Sequence, residues 1–147
     1  MAQPINLPAP TQDEKTMALL AEIFQIFTWW IGPLIFYLIK RESKFVAFHA
    51  MQALLWQCTM MVLWMVCGMA WIIIMIFSLL PHMNHAPAGN APPPVMFFAF
   101  FGVFWLGILV LWALNLLIGI FYGVKASRGE WAEYPLLGRL ARRIVEV

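Results

Sequence analysis

Polar and apolar positions alternate along this chain in long blocks, not residue by residue, and blocks of that length predict membrane helices instead of strands. Residues 45–80 and 95–124 contain no Asp, Glu, Lys or Arg, and residues 17–39 carry a single charge, Glu22. A helix needs roughly 20 apolar residues to cross a bilayer, so the pattern predicts three crossings, at residues 17–39, 50–80 and 95–124. Thr11 and Glu14 have the spacing of a capping box that would start the first helix, and Gly32 with Pro33 is expected to kink it. The run from 45 to 80 would be about 54 Å long as one helix at 1.5 Å per residue. Residues 45–56, which include His49 and Gln52, are therefore expected to begin at the membrane surface, with the remainder tilted across.

The punctuation between blocks is rich in proline. Pro81, Pro87, Pro92, Pro93 and Pro94 predict an external loop over residues 81–94, and residues 1–10, with three prolines, read as a disordered tail before a single helical membrane domain at 11–147. At the other end, residues 136–147 place Leu136, Leu137, Leu140, Ile144 and Val147 on one helical face and Arg139, Arg142, Arg143 and Glu146 on another, the pattern of an interfacial amphipathic helix.

Composition narrows the class further. With 63% hydrophobic residues, 11% charged residues and a mean hydropathy of +0.81, too little polar surface remains to cover a soluble globule of 147 residues. The fold class is an all-α integral membrane protein of about three transmembrane helices plus the C-terminal interfacial helix. Eight of the nine Lys and Arg residues, Lys40, Arg41, Lys44, Lys125, Arg128, Arg139, Arg142 and Arg143, flank the ends of the expected crossings on one side. The positive-inside rule then predicts an N-terminus outside and a C-terminus in the cytoplasm. The net charge of +2 is accounted for by this orientation, and no nucleic-acid partner is expected.

Chemistry-bearing residues are few. Cys58 and Cys67, nine residues apart, point to opposite faces of one helix and are expected to be buried free thiols. His82, Met83 and His85 are weak candidates for a soft metal site, since no third strong ligand stands near them. Asn115, Gly119 and Gly123 recur every fourth residue and predict close helix packing, against another element or another copy of the chain. His49, Gln52, Gln57 and Thr59 form a polar face in an otherwise apolar helix, read either as a polar pathway or as groups bonded to headgroups and backbone. Glu22 is expected near headgroup depth. No nucleophile with a base, no paired carboxylates at membrane depth and no phosphate loop are present, so no catalytic residue and no cofactor is predicted.

Two blocks carry a family resemblance. One is Gly32-Pro33-Leu34-Ile35, then Lys40-Arg41-Glu42-Ser43 and the run Phe45-Val46-Ala47-Phe48-His49-Ala50-Met51-Gln52-Ala53. The other is Tyr122-Gly123-Val124-Lys125-Ala126, Gly129-Glu130-Trp131 and Tyr134-Pro135-Leu136. In order and spacing they resemble a bacterial membrane domain related to the small Tic-translocon channel-like subunit of chloroplasts. That resemblance implies a helical membrane domain, residence in a bacterial inner membrane and a relative that moves proteins across a membrane.

Function is therefore expected to be non-enzymatic: an accessory or scaffold subunit packing into a larger membrane complex, with a channel-like component or a lipid or quinone binder as alternatives. The bilayer, other membrane subunits and self-association are the expected partners.

Overall fold

The computed structural model describes residues 9–85 and 94–147, with side chains described at 9–80 and 98–147. Among the described residues all regular structure is helical: α1 (Gln12–Thr28), α2 (Ile31–Ile39), α3 (Lys44–His85), α4 (Pro94–Ser127) and α5 (Leu137–Val145). Contacts divide the chain into one unit running to Thr59 and resuming at Asn115, and a second unit, Met60–Leu114.

Thr11 caps α1, its hydroxyl accepting from the Glu14 amide while the Glu14 carboxylate accepts from the Thr11 amide. The buried residues of α1, Ala18, Ala21, Glu22, Gln25 and Ile26, fall on one stripe of a 3.6-residue repeat. The expected crossing at 17–39 is not one kinked helix. The chain turns at Trp29, whose φ is 56°, and Pro33 lies in the first turn of α2, where its missing N–H has no intrahelical partner to lose. Proline here starts a helix instead of bending one.

The two helices run antiparallel. Phe24 and Phe36 meet edge to face with centroids 5.6 Å apart, and a Cβ on Gly32 would fall 2.3 Å from Thr28 Oγ1, so the close approach requires glycine. At the opposite end Lys40 Nζ lies 2.9 Å from Asp13 Oδ2, and the Ser43 hydroxyl donates to Glu14 Oε1 at 2.6 Å. The start of α1 and the end of α2 thus share one polar end, and 17–39 forms a helical hairpin. Ser43 also accepts from the Val46 amide, carrying the chain directly into α3.

The long second run is one continuous helix of 42 residues, about 63 Å by the α-helical rise. It extends through residues 81–85, which were expected in a loop; Pro81 forfeits one intrahelical bond without ending the helix. The rest of the expected loop, 86–93, and the tail at 1–8 lie outside the described residues. Pro94 opens α4 at the first helical position, where proline is favoured.

Lys44–Leu80 and Phe98–Ser127 are long and apolar enough to cross a membrane, and only 6% of the most apolar window of each is buried inside the protein. A soluble core helix would be covered; these are not. Two candidate spans stand where three crossings were expected. Cys58 and Cys67 are exposed on this surface, not buried.

Within the second unit Trp71 packs on Phe104 at 4.7 Å and donates its indole N–H to the Phe100 carbonyl at 3.1 Å. Within the first, Ala47, Phe48 and Met51 of α3 pack with Ala141 and Val145 of α5. The covered face of α5 is Gly138, Ala141 and Val145; the bulky Leu136, Leu140 and Ile144, expected to be its apolar contact face, are exposed.

Candidate functional site

The first unit is organised around buried polar side chains. Glu22, Gln25, His49 and Gln52 are wholly buried, and Gln57 and Asn115 nearly so. Burying a carboxylate and an imidazole is costly unless each is partnered, and here each is. His49 Nδ1 lies 3.0 Å from Glu22 Oε1, and His49 Nε2 lies 3.1 Å from the Glu130 carbonyl oxygen. A carbonyl can only accept, so Nε2 carries a hydrogen.

The second Glu22 oxygen accepts from the Tyr134 phenol and from Gln25 Nε2, the latter at 3.1 Å. Gln25 Nε2 also donates to the phenol oxygen at 2.9 Å. Burial, reinforced by the Glu22 carboxylate, holds the Tyr134 phenol well above its ordinary pKa, so it remains a donor. Gln57 Nε2 reaches Asn115 Oδ1 at 2.8 Å and the Gln25 carbonyl at 3.1 Å, and the Trp56 indole donates to the same Asn115 oxygen at 3.0 Å.

The segment that closes the cluster follows α4. There Gly129, at φ 82°, completes a Schellman turn: its amide donates to the Ala126 carbonyl and that of Glu130 to the Lys125 carbonyl. The turn returns residues 130–134 to α3. Gln52 receives them as a neighbouring strand would, its Nε2 donating to the Ala132 carbonyl at 3.0 Å and its Oε1 accepting from the Tyr134 amide at 2.7 Å. Gly138 must lack a side chain here, because a Cβ would lie 2.5 Å from Glu133 Cβ and 3.0 Å from Gln52 Oε1. Among the described residues no buried side-chain nitrogen or oxygen lacks a hydrogen-bond partner.

Three of the four residues of the expected polar face, His49, Gln52 and Gln57, enter this cluster; Thr59 is exposed and bonds back to the Leu55 carbonyl of its own helix. Their partners are backbone carbonyls and other side chains, not headgroups. Glu22 is buried. Gly119 and Gly123 face α1 of the same chain, a Cβ on Gly119 falling 2.8 Å from Ile26 Cγ1 and one on Gly123 3.1 Å from Leu19 Cδ1, whereas Asn115 bonds to Trp56 and Gln57 of α3. Tyr134 and Gln25 escaped the sequence reading. The signal available was Glu22 itself, a lone carboxylate in an apolar block that needs a donor from elsewhere.

His82, Met83 and His85 have side chains outside the described residues, and among the described residues no group of three or more His, Cys, Asp or Glu could hold a metal ion. In the second unit an apolar groove of about 540 Å³ is lined by Trp64, Cys67, Gly68, Trp71, Phe104 and Gly107 among others, without the converging polar groups a quinone headgroup would need.

The profile of the MamF/MmsF magnetosome magnetite crystal formation proteins matches residues 13–141. It spans both blocks that carried the resemblance to the Tic-translocon relatives, and it overturns that assignment. No curated protein matches the chain, and no solved structure does.

Proposed function

The chain belongs to the magnetosome magnetite crystal formation protein family, and from that premise we propose that it is a non-enzymatic accessory protein of the magnetosome membrane. The observation that carries this reading is the state of its reactive side chains. Glu22, His49 and Tyr134 are fully buried and spend their hydrogen bonds on one another and on the returning backbone, an arrangement suited to locking a fold. A catalytic group needs a face open to substrate. The exposed surface of the spans is aliphatic and aromatic, suited to lipid and to other membrane helices.

In this reading α3 and α4 are the two crossings. All nine Lys and Arg residues precede residue 45 or follow residue 124, which favours a cytoplasmic location for both ends of the domain. With the hairpin replacing a first crossing, the N-terminal end moves to the cytoplasmic side. The exposed Arg139, Leu140, Arg143 and Ile144 of α5 suit contact with anionic headgroups.

Gentle detergent extraction of magnetosome membranes, followed by native electrophoresis and mass spectrometry, tests the accessory role. A partner co-migrating in stoichiometric amount is expected. The chain running alone or only with itself would overturn it.

A further inference from the structure

The hairpin α1–α2 carries an apolar exterior that the two crossings do not explain. Phe27, Trp29, Trp30, Ile31, Leu38 and Ile39 are all exposed on it, Phe27 at 78%. Its depth is fixed by its neighbour. Gly119 and Gly123 belong to the span Phe98–Ser127, and side chains of α1 approach them so closely that no lipid or water fits between. Leu117, Ile120 and Phe121 are exposed on the same stretch of α4, so the outer face of the hairpin continues a lipid-facing surface.

The hairpin nevertheless enters and leaves at one end. Asp13 with Lys40, and Glu14 with Ser43, hold its two ends together, and Lys44 begins the next span directly. Those charges belong at the membrane surface, which leaves the Trp29–Trp30 turn as the inserted tip. Ile26, next to that tip, meets Gly119, which lies eight residues or about 12 Å inside the end of the span at Ser127, less than half of a hydrocarbon core about 30 Å thick.

We propose that α1–α2 is inserted among the acyl chains of a single leaflet, the one on the basic side, and that it acts there as a wedge giving the protein a preference for membrane convex on that side. Spans add area to both leaflets equally. A hairpin of two helices, each about 10 Å across, adds it to one, and the bilayer relieves the mismatch by bending. This rests on the two-span topology above and not on the mineral.

The full chain with Cys58→Ala and Cys67→Ala, carrying in turn Gln12→Cys, Glu42→Cys and Trp29→Cys, is probed with a membrane-impermeant maleimide in right-side-out and inverted vesicles. Gln12→Cys and Glu42→Cys are expected to react from the same side and Trp29→Cys from neither. Reaction of the first two from opposite sides would overturn the hairpin and the two-span topology together. Ready disulfide dimers of Trp29→Cys would show that a second copy, not lipid, covers the face, and would overturn the wedge.

The unsubstituted chain is then reconstituted at rising protein content into phosphatidylethanolamine–phosphatidylglycerol vesicles sized by cryo-electron microscopy. Diameters are expected to fall with protein content, and the Phe27→Ser/Trp30→Ser variant, at equal incorporation, to lose the effect. Diameters independent of protein content would overturn the wedge while leaving the two-span topology standing.

Discussion

The phenol of Tyr134 donates a hydrogen bond to the carboxylate of Glu22 across 112 residues of sequence, tying the segment after α4 to the first helix. In Tyr134→Phe the carboxylate loses a neutral donor and Gln25 an acceptor, so a loss of about 1–3 kcal/mol is expected. Thermal unfolding in detergent measures it. Tyr122→Phe, which gives up a single bond to the Glu133 carbonyl, is the control and should cost less.

The Glu22–His49 pair should behave as a unit. His49→Ala leaves a buried carboxylate without its partner, and Glu22→Ala leaves a buried imidazole; losses of about 3–5 kcal/mol are expected for each. Glu22→Gln/His49→Gln removes the proton-carrying chemistry but keeps two hydrogen-bonding amides, and should lose less than the sum of the single alanine variants. Unfolding of all three in one detergent decides the matter.

The glycines separate into two kinds. At Gly119 an added methyl meets Ile26 and the Glu22 carbonyl oxygen at 3.0 Å, so Gly119→Ala should destabilise by about 1–3 kcal/mol. At Gly68 and Gly107 nothing lies within 4 Å, and alanine there should be neutral or slightly stabilising through helix propensity. Comparing the apparent melting temperatures of these variants is sufficient.

How far the sequence reveals this fold depends on whether the signal is local. The uncharged blocks at 45–80 and 95–124 reveal α3 and α4, because length and apolarity alone define a span. The Thr11–Glu14 capping box is equally local. The break at Trp29 is not legible, since a residue with positive φ is usually Gly or Asn, and here an aromatic residue occupies the turn inside an apolar block. Pro33 was then available to be read as a kink. The face Asn115–Gly119–Gly123 can be read from its spacing, but its occupants cannot: α1, against the two glycines, lies nearly 100 residues away, and Trp56 and Gln57, bonded to Asn115, nearly 60. His49, Gln52 and Gln57 stand out as polar residues in an apolar helix, whereas the carbonyls of Glu130 and Ala132 that satisfy two of them have no side-chain signature.

Acidification should open the base of the hairpin. Hydrogen bonds from Ser43 and from the Thr11 amide hold the Glu14 carboxyl below its ordinary value of 4.5. A depressed folded pKa means the stabilisation is complete above the unfolded value and is lost as pH falls through the folded one. The hydrogen bond from Lys40 to Asp13 raises the lysine above 10.5, so its contribution is complete below that pH and lost as pH rises through the higher folded value. Nitroxides at Gln12→Cys and Glu42→Cys, in the background without native thiols, should report an unchanged distance from neutral pH down to 4.5 and a broadened distribution below it. Ser43→Ala should bring the broadening to higher pH.

The most direct test of the central claim, that the buried cluster locks a non-enzymatic membrane fold, is crystal formation in a strain lacking the gene and complemented with Glu22→Gln/His49→Gln. Electron microscopy of the magnetite crystals gives the readout, with membrane content of the variant measured in parallel. Crystals of wild-type number and size are expected when the variant is inserted at wild-type level. Defective crystals from a variant that is folded and inserted normally would contradict the claim and assign the carboxylate and imidazole a chemical role.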